Sequence, residues 1–540
     1  MLTMTKTQAL PQAGTLPAVA TRPRRRLPIT VTGTSPLTPD YGTLTSSLAW
    51  HLARRIGIAG TASLADEISA AGTDVWLEKQ FNPASIDDSY CDGLIAQYQP
   101  MVNMTMAEME AYFLPQTFSG VPRSNVSNTA AAALLLRGLW TNRHLSHAME
   151  LFWLDHFSVP FINLTKMLTP GSPQIVRRLR PLALTTFEQI LATTYDLPAI
   201  HLYLDNVQNV AGAVNENLAR ETFELFTVGI NNFTETDVQQ LAILLSGQAV
   251  GLWRYVIPES LGVTDSAHVF TSSVSIRGRS YPNSTHDEVL ASMSQLLKDL
   301  ALDPATARFV CTKLARRFVA DQPPLWLVDT MVSAYLANGS GIVPVLRAMF
   351  TSTAFAESVG AKWRRPDELH LSLIKAHKPK FDWPTITDPQ YAKVFNGMIK
   401  TRQWLTEAGM TFRGWIPPDG FPDTAKHWMS PGPLVKWVNH VDLIWKNYDW
   451  YPATDAGWTW SGSWAEALGV TGSMSYTTAA DRLIERLTGY TAAPSLIRTE
   501  VRAALNGGTA PSLPDAPIGT AATVDLAVRT VLASPLFFLR

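Results

Sequence analysis

Apolar positions recur every three or four residues over most of this chain, and strand-like alternation is confined to a few short runs. The spacing predicts a first helix from Leu44 to Ile58 and a second from Ser63 to Phe81. Further helices are expected at Asn128–Trp140, at His147–Phe157 and, with a break at Pro181, over Arg177–Tyr195. Thr234–Gly247 opens on a capping threonine and carries Asp237 in its first turn, where a carboxylate suits the helix dipole. The pattern resumes at Asp287–Leu302, Ala305–Val319, Trp326–Asn338 and Pro344–Phe350, with a short element at Ser352–Ser358. It lapses between Pro258 and Thr285, where Val269-Phe270 and Val274–Ile276 suit a short hairpin. The fold class expected is mainly α, with short β-hairpins and a Trp-rich, loop-rich C-terminal part.

Polar side chains are packed most densely between apolar ones at Leu202–Gly229, LYLDNVQNVAGAVNENLARETFELFTVG. Asp205 and Asn206 open it, Asn215 is a good N-cap, and Gly229 a good stop. At helical spacing Leu218, Thr222, Leu225 and Phe226 share one side; Asn217, Arg220, Glu221 and Glu224 share another. Arg220 lies four residues from both Glu216 and Glu224, so it is expected to bridge the two carboxylates. The commoner meaning of such a run is a salt-bridged, partly solvated face. Flanking Phe223 and Phe226 favour a polar site instead, with carboxylates turned into a cleft. His156 falls on the apolar face of Trp153 and Phe157, where a core histidine with one hydrogen bond is commoner than a ligand.

Composition narrows the choice of function. A net charge of −1 gives no electrostatic case for nucleic acid or an anionic membrane. Cys91 and Cys311 are the only cysteines and lie far apart, which suggests neither a disulfide framework nor a zinc site. No run is apolar enough to span a bilayer, and the segment after Arg22, Arg24, Arg25 and Arg26 is too polar for a signal core, so a cytoplasmic location is expected. Ten of the 17 Trp lie beyond Lys378. Within that third, Trp450, Trp458, Trp460 and Trp464 form the best candidate for a sugar-stacking patch, although core filling is the commoner use of Trp. The sequence lacks GxSxG, a P-loop, GxGxxG, HExxH and paired Glu-x-x-His helices. It assigns no metal ligand set and no cofactor.

Several stretches together resemble the bacterial family called domain of unknown function 1800. YLDN…NENLARETFELFTVG, ending at Gly229, is similar to the family's central signature. His51–Gly57 (HLARRIG), Phe152–Phe157 (FWLDHF), Asn232–Val238 (NFTETDV), Asp303–Phe309 (DPATARF) and Pro417–Asp423 (PPDGFPD) follow in the family's order. The resemblance implies one large, mostly helical unit rather than the several domains that 540 residues would suggest. It also implies a companion, often encoded alongside, that resembles alkaline phosphatases and sulfatases. The chain departs from the pattern at Asp303, where the family usually has His, and at His268–Tyr281, where only the Gly-Arg-x-Tyr end of a family turn is clear.

The expected organisation is a flexible Thr/Pro/Ala-rich tail over 1–44, a helical core over 45–375, and a Trp-rich part of the same domain over 376–540. Function is unassigned within the family, and the first reading is a helical accessory protein that works with a partner. The second is a hydrolase-like enzyme on a glycan or a sulfated or phosphorylated polymer, with His156, Arg220, Glu221 and Glu224 as catalytic candidates. The third is carbohydrate binding by the Trp cluster. Asp205, Asn206, Asn215, Glu216 and Asn217 are further binding candidates.

Overall fold

The computed structural model describes residues 30–34, 43–105, 107–108, 123–161, 171–249, 262–377, 379–380, 398, 401–446, 459–460, 463–491, 493–509, 515–519 and 521–540. Helices dominate, and the strands form two-stranded antiparallel ladders. The mainly α expectation therefore holds. Among the described residues no helix is long and apolar enough to cross a membrane.

Local chemistry sets many of the helix starts. Thr186 with Gln189, Thr234 with Asp237 and Ser463 with Glu466 form reciprocal capping boxes. Asp303 caps Pro304–Phe318 by accepting from the Ala305 amide at 2.8 Å. Two expected boundaries shift. The first helix begins at Leu48, because Thr43–Ser47 pairs as a strand with Thr30–Thr34. The second is two helices, Ala62–Ala71 and Thr73–Phe81, broken at Gly72 with φ +85°. The strand Thr30–Thr34 lies inside the stretch expected to be a tail, and Val31 is buried. Its β-branched alternation is masked by the Thr- and Pro-rich composition around it. The expected hairpin also moves along the chain: Ser273–Ile276 pairs with Arg279–Pro282 around Arg277-Gly278, both at positive φ.

Distant parts of the chain close on one core. His51, Arg54 and Arg55 sit on the helix Leu48–Ile56 and reach the C-terminal ends of three other helices. His51 Nε2 meets the Phe355 carbonyl at 2.8 Å, Arg54 donates to the Thr488 carbonyl, and Arg55 to those of Phe318 and Val319 at 3.2 and 3.0 Å. Each contact satisfies a carbonyl that a helix end leaves without an intrahelical partner. The HLARRIG stretch is thus a clamp on the fold. Cys91 and Cys311 are buried free thiols. The last residues return to the middle of the chain: Arg364 N donates to Phe538 O at 2.7 Å, and Arg540 N to Lys362 O at 2.9 Å.

Candidate functional site

The helix His144–His156 ends with Phe152, Asp155 and His156 on adjacent turns of one face. Opposite it, the helix Pro304–Phe318 presents Phe309, Lys313, Arg316 and Arg317 at spacings of three and four residues. The loop Pro417–Thr424 covers the gap. Gly420 fits there because it has no side chain: its φ is +79°, and a Cβ would lie 2.1 Å from the Asp155 carbonyl oxygen. A cleft of about 250 Å³ remains, lined by residues of these elements and by Arg365.

Buried ion pairs form its floor. Asp155 is held by Arg365 Nη1 at 2.7 Å and by Arg413, which also donates to the Leu154 carbonyl. Arg365 turns its other edge to Asp367 at 3.3 Å. Arg317 spans Glu368 at 2.9 Å and Asp423 at 3.3 Å, while Arg540 adds a second guanidinium on Glu368. Lys362 pairs with Asp321, whose other oxygen accepts from the Ala425 amide at 2.7 Å. Burial opposes ionisation of Asp155, Glu368 and Asp423, yet the surrounding cations win and hold all three below the usual carboxylate range.

Among the described residues, other polar groups of the cleft make no direct ion pair. His156 is 1% exposed; its Nε2 lies 3.0 Å from the Phe226 carbonyl, and its Nδ1 has no hydrogen-bond partner. A carbonyl accepts only, so Nε2 carries the hydrogen and Nδ1 is a bare acceptor. Burial, reinforced by Lys313, holds the imidazole pKa well below its ordinary value and keeps the ring neutral. Lys313 is half-buried and lies 5.4 Å from the centre of the Phe309 ring; burial lowers its ammonium pKa to about 8. Arg316 donates from Nε to the Asp321 carbonyl at 3.2 Å and makes no ion pair among the described residues. At the mouth, the exposed Asp419 accepts from Trp415 Nε1 at 2.7 Å.

The expected polar helix beside His156 is built differently from its sequence reading. Only Asn217–Glu221 is α-helical; Thr222–Phe226 is a π turn. Asn215 is not the cap residue proper, though its Oδ1 accepts from the Asn217 amide at 2.9 Å. The i,i+4 rule assumes an unbroken α-helix, and the wider turn changes the register after Glu221. Arg220 bonds Glu216 at 3.2 Å but takes Glu235, not Glu224, as its second partner. This cluster is largely solvated, which corrects the expectation of an Arg220 held between Glu216 and Glu224. Glu221 is half-buried. Burial, then Glu224 and Asp419, push its carboxyl pKa up.

The remaining candidates scatter. Asn206 is buried and donates to His201 Nδ1 at 3.0 Å and Leu245 O at 3.1 Å, so it anchors a turn rather than facing a ligand. Asp205 takes a left-handed conformation at the head of that turn, and Asn217 donates to Leu204 O at 3.2 Å. Trp464 is buried against His377, with ring centres 4.4 Å apart, so it cannot stack on an external sugar. Trp460 pairs through its backbone with Pro379. Trp450 and Trp458 lie outside the described residues. Among the described residues no group of His, Cys, Asp and Glu is placed to hold a metal. Asp303, where the family usually has His, pairs with Arg277 at 2.7 Å on a separate surface.

The single-residue reading overlooked Asp155, Lys313, Arg316, Arg317, Arg365, Asp419 and Asp423. Their signal lay in FWLDHF and PPDGFPD, each a carboxylate among aromatic or turn residues, which meet across the cleft. The family model described as "Protein of unknown function (DUF1800)" matches residues 51–539, nearly the whole chain. The chain belongs to that family. No curated protein and no solved structure matches it.

Proposed function

We propose that this DUF1800 protein binds a small ligand in the cleft between FWLDHF and PPDGFPD, and that it serves as a helical accessory to a partner. The observation that carries the reading is the cleft itself, whose lining includes His156, a buried ring with Nδ1 left without a hydrogen-bond partner. A buried polar atom without a partner costs stability, and a ligand that supplies the missing hydrogen bond recovers it. The cleft is below the usual volume of drug-sized sites, about 300–1,000 Å³, so a small molecule or a single polar group fits it best. The test is a thermal-shift panel of small metabolites, charged and neutral, on the full chain. Hits should disappear in Asp419→Asn or Lys313→Gln and persist in Glu216→Gln. Hits that survive both cleft substitutions would move the site elsewhere. Pull-down with the phosphatase-like companion tests the accessory role.

A second reading makes Glu221 a general acid, since burial, and then Glu224 and Asp419, raise its carboxyl pKa. Hydrolysis on a glycan and sulfated-polymer panel, lost in Glu221→Gln, would favour it.

A further inference from the structure

We infer that the cleft takes a phosphate-type oxyanion, its charge on Lys313 and Arg316 and one ligand O–H donated to Nδ1 of His156. The inference rests on the reading of the cleft as the working site and names its ligand class.

The cations of the lining divide into two sets. Arg317 and Arg365 are already neutralised, the first by Glu368 and Asp423, the second by Asp155 and Asp367. Among the described residues, Lys313 and Arg316 make no direct ion pair. They lie three residues apart on one helix, so both face the same gap. Asp155 is held in direct bonds by Arg365 and Arg413, and with Asp419 and Asp423 it acts on Lys313 only through space. Two neighbouring cations at a partly buried site, neither held in a direct ion pair, form a place for an external anion.

His156 narrows the anion. Its ring and Lys313 both border Phe309: the ring centres of His156 and Phe309 are 6.2 Å apart, and Lys313 Nζ is 5.4 Å from the Phe309 centre. Nδ1 accepts and does not donate, as the bond from Nε2 to the Phe226 carbonyl dictates. A fully deprotonated oxyanion would set lone pair against lone pair there. Hydrogen phosphate carries an O–H, and a phosphate monoester of a polyol carries hydroxyls beside its phosphoryl group. Sulfate carries no proton at neutral pH. Asp419 at the mouth acts in the same direction, since a carboxylate accepts from hydroxyls and repels bare anions.

The experiment is isothermal titration of the full chain with inorganic phosphate, sulfate and glycerol phosphate at constant ionic strength. Saturable binding of phosphate or glycerol phosphate, with sulfate weaker by about tenfold or more, is expected. Tighter binding of inorganic phosphate would identify the free ion as ligand, and tighter binding of glycerol phosphate an ester. Lys313→Gln and Arg316→Gln should each weaken binding by about tenfold without lowering the melting temperature, and Lys313→Arg should restore most of it. Sulfate binding as tight as phosphate, or phosphate binding unchanged in Lys313→Gln, would overturn the inference. So would the absence of phosphate binding; if a neutral compound from the panel still bound through the cleft, only the ligand class would fall.

Discussion

Arg220 donates to Glu235, fifteen residues further along the chain, with Nη1 3.0 Å from Oε2, although Glu224 stands at the helical spacing that should have claimed it. The π turn at Thr222–Phe226 separates the two readings. An ion pair between such solvated groups contributes little. Arg220→Ala should therefore move the melting temperature by less than about 2 °C. A large loss would mean that the cluster is closed off from solvent.

Glu368 behaves in the opposite way. It is buried and receives both Arg317 and Arg540. Glu368→Ala would leave two buried guanidiniums short of a counter-charge and should cost about 3–5 kcal/mol by chemical denaturation. A loss near that of Arg220→Ala would refute the network as a stabilising element.

Gly420→Ala tests the loop that closes the cleft. The added Cβ meets the Asp155 carbonyl, and the left-handed backbone strains any L side chain. A cost of about 1–3 kcal/mol is expected, together with loss of cleft ligands. An unchanged protein with intact binding would show that the loop does not pack on Asp155 as described.

Acid should destabilise the fold well before the carboxylates titrate. Burial lowers His201 and His377 to about 4 and His370 to about 3, and holds His51 and His156 well below their ordinary value. These rings are neutral when folded, while the unfolded chain protonates them near pH 6.5. Below that pH the unfolded state binds more protons, so stability falls by about 1.4 kcal/mol per pH unit for each such ring, down to its folded pKa. The depressed carboxylates Asp155, Glu368 and Asp423 act later: their contribution is present above about pH 4 and is lost as pH falls through their lower folded values. Denaturation midpoints from pH 8 to pH 4 should thus decline from about pH 6.5 downward. A flat profile to pH 4.5 would contradict neutral buried histidines.

Helix positions were readable because their signals are local. Thr234 with Asp237 caps where its spacing says, and the apolar stripes of Asp287–Leu302 and Ala305–Val319 each end within one residue of the helices found. The cleft was only half readable. FWLDHF and PPDGFPD stood out as stretches, but the partners of Asp155 are Arg365 and Arg413, more than two hundred residues away. Nothing local marks an arginine as buried, and the general habit of the residue is to stay in water. The π turn escaped for a related reason: α and π turns share much the same apolar stripe over five residues, and the backbone hydrogen bonds that distinguish them leave no mark in the sequence. Trp464 shows the reverse error, in which a residue type suited to sugar faces is spent on the core.

The return of the chain's last residues to its centre bears on how the protein is made. Leu539 pairs with Trp363, and the Arg540 side chain reaches Glu368 and the Arg317 carbonyl. On the ribosome, the middle helices are synthesised long before these contacts become available. Until then Glu368 has Arg317 and the Arg365 amide to hold it but lacks Arg540, and the contacts of Phe537 and Phe538 are unmade. The growing chain therefore passes through a stage with exposed apolar surface, when chaperones and misassembly compete for it. Closure of the core waits for the segment 537–540 to be made, however early the middle helices form.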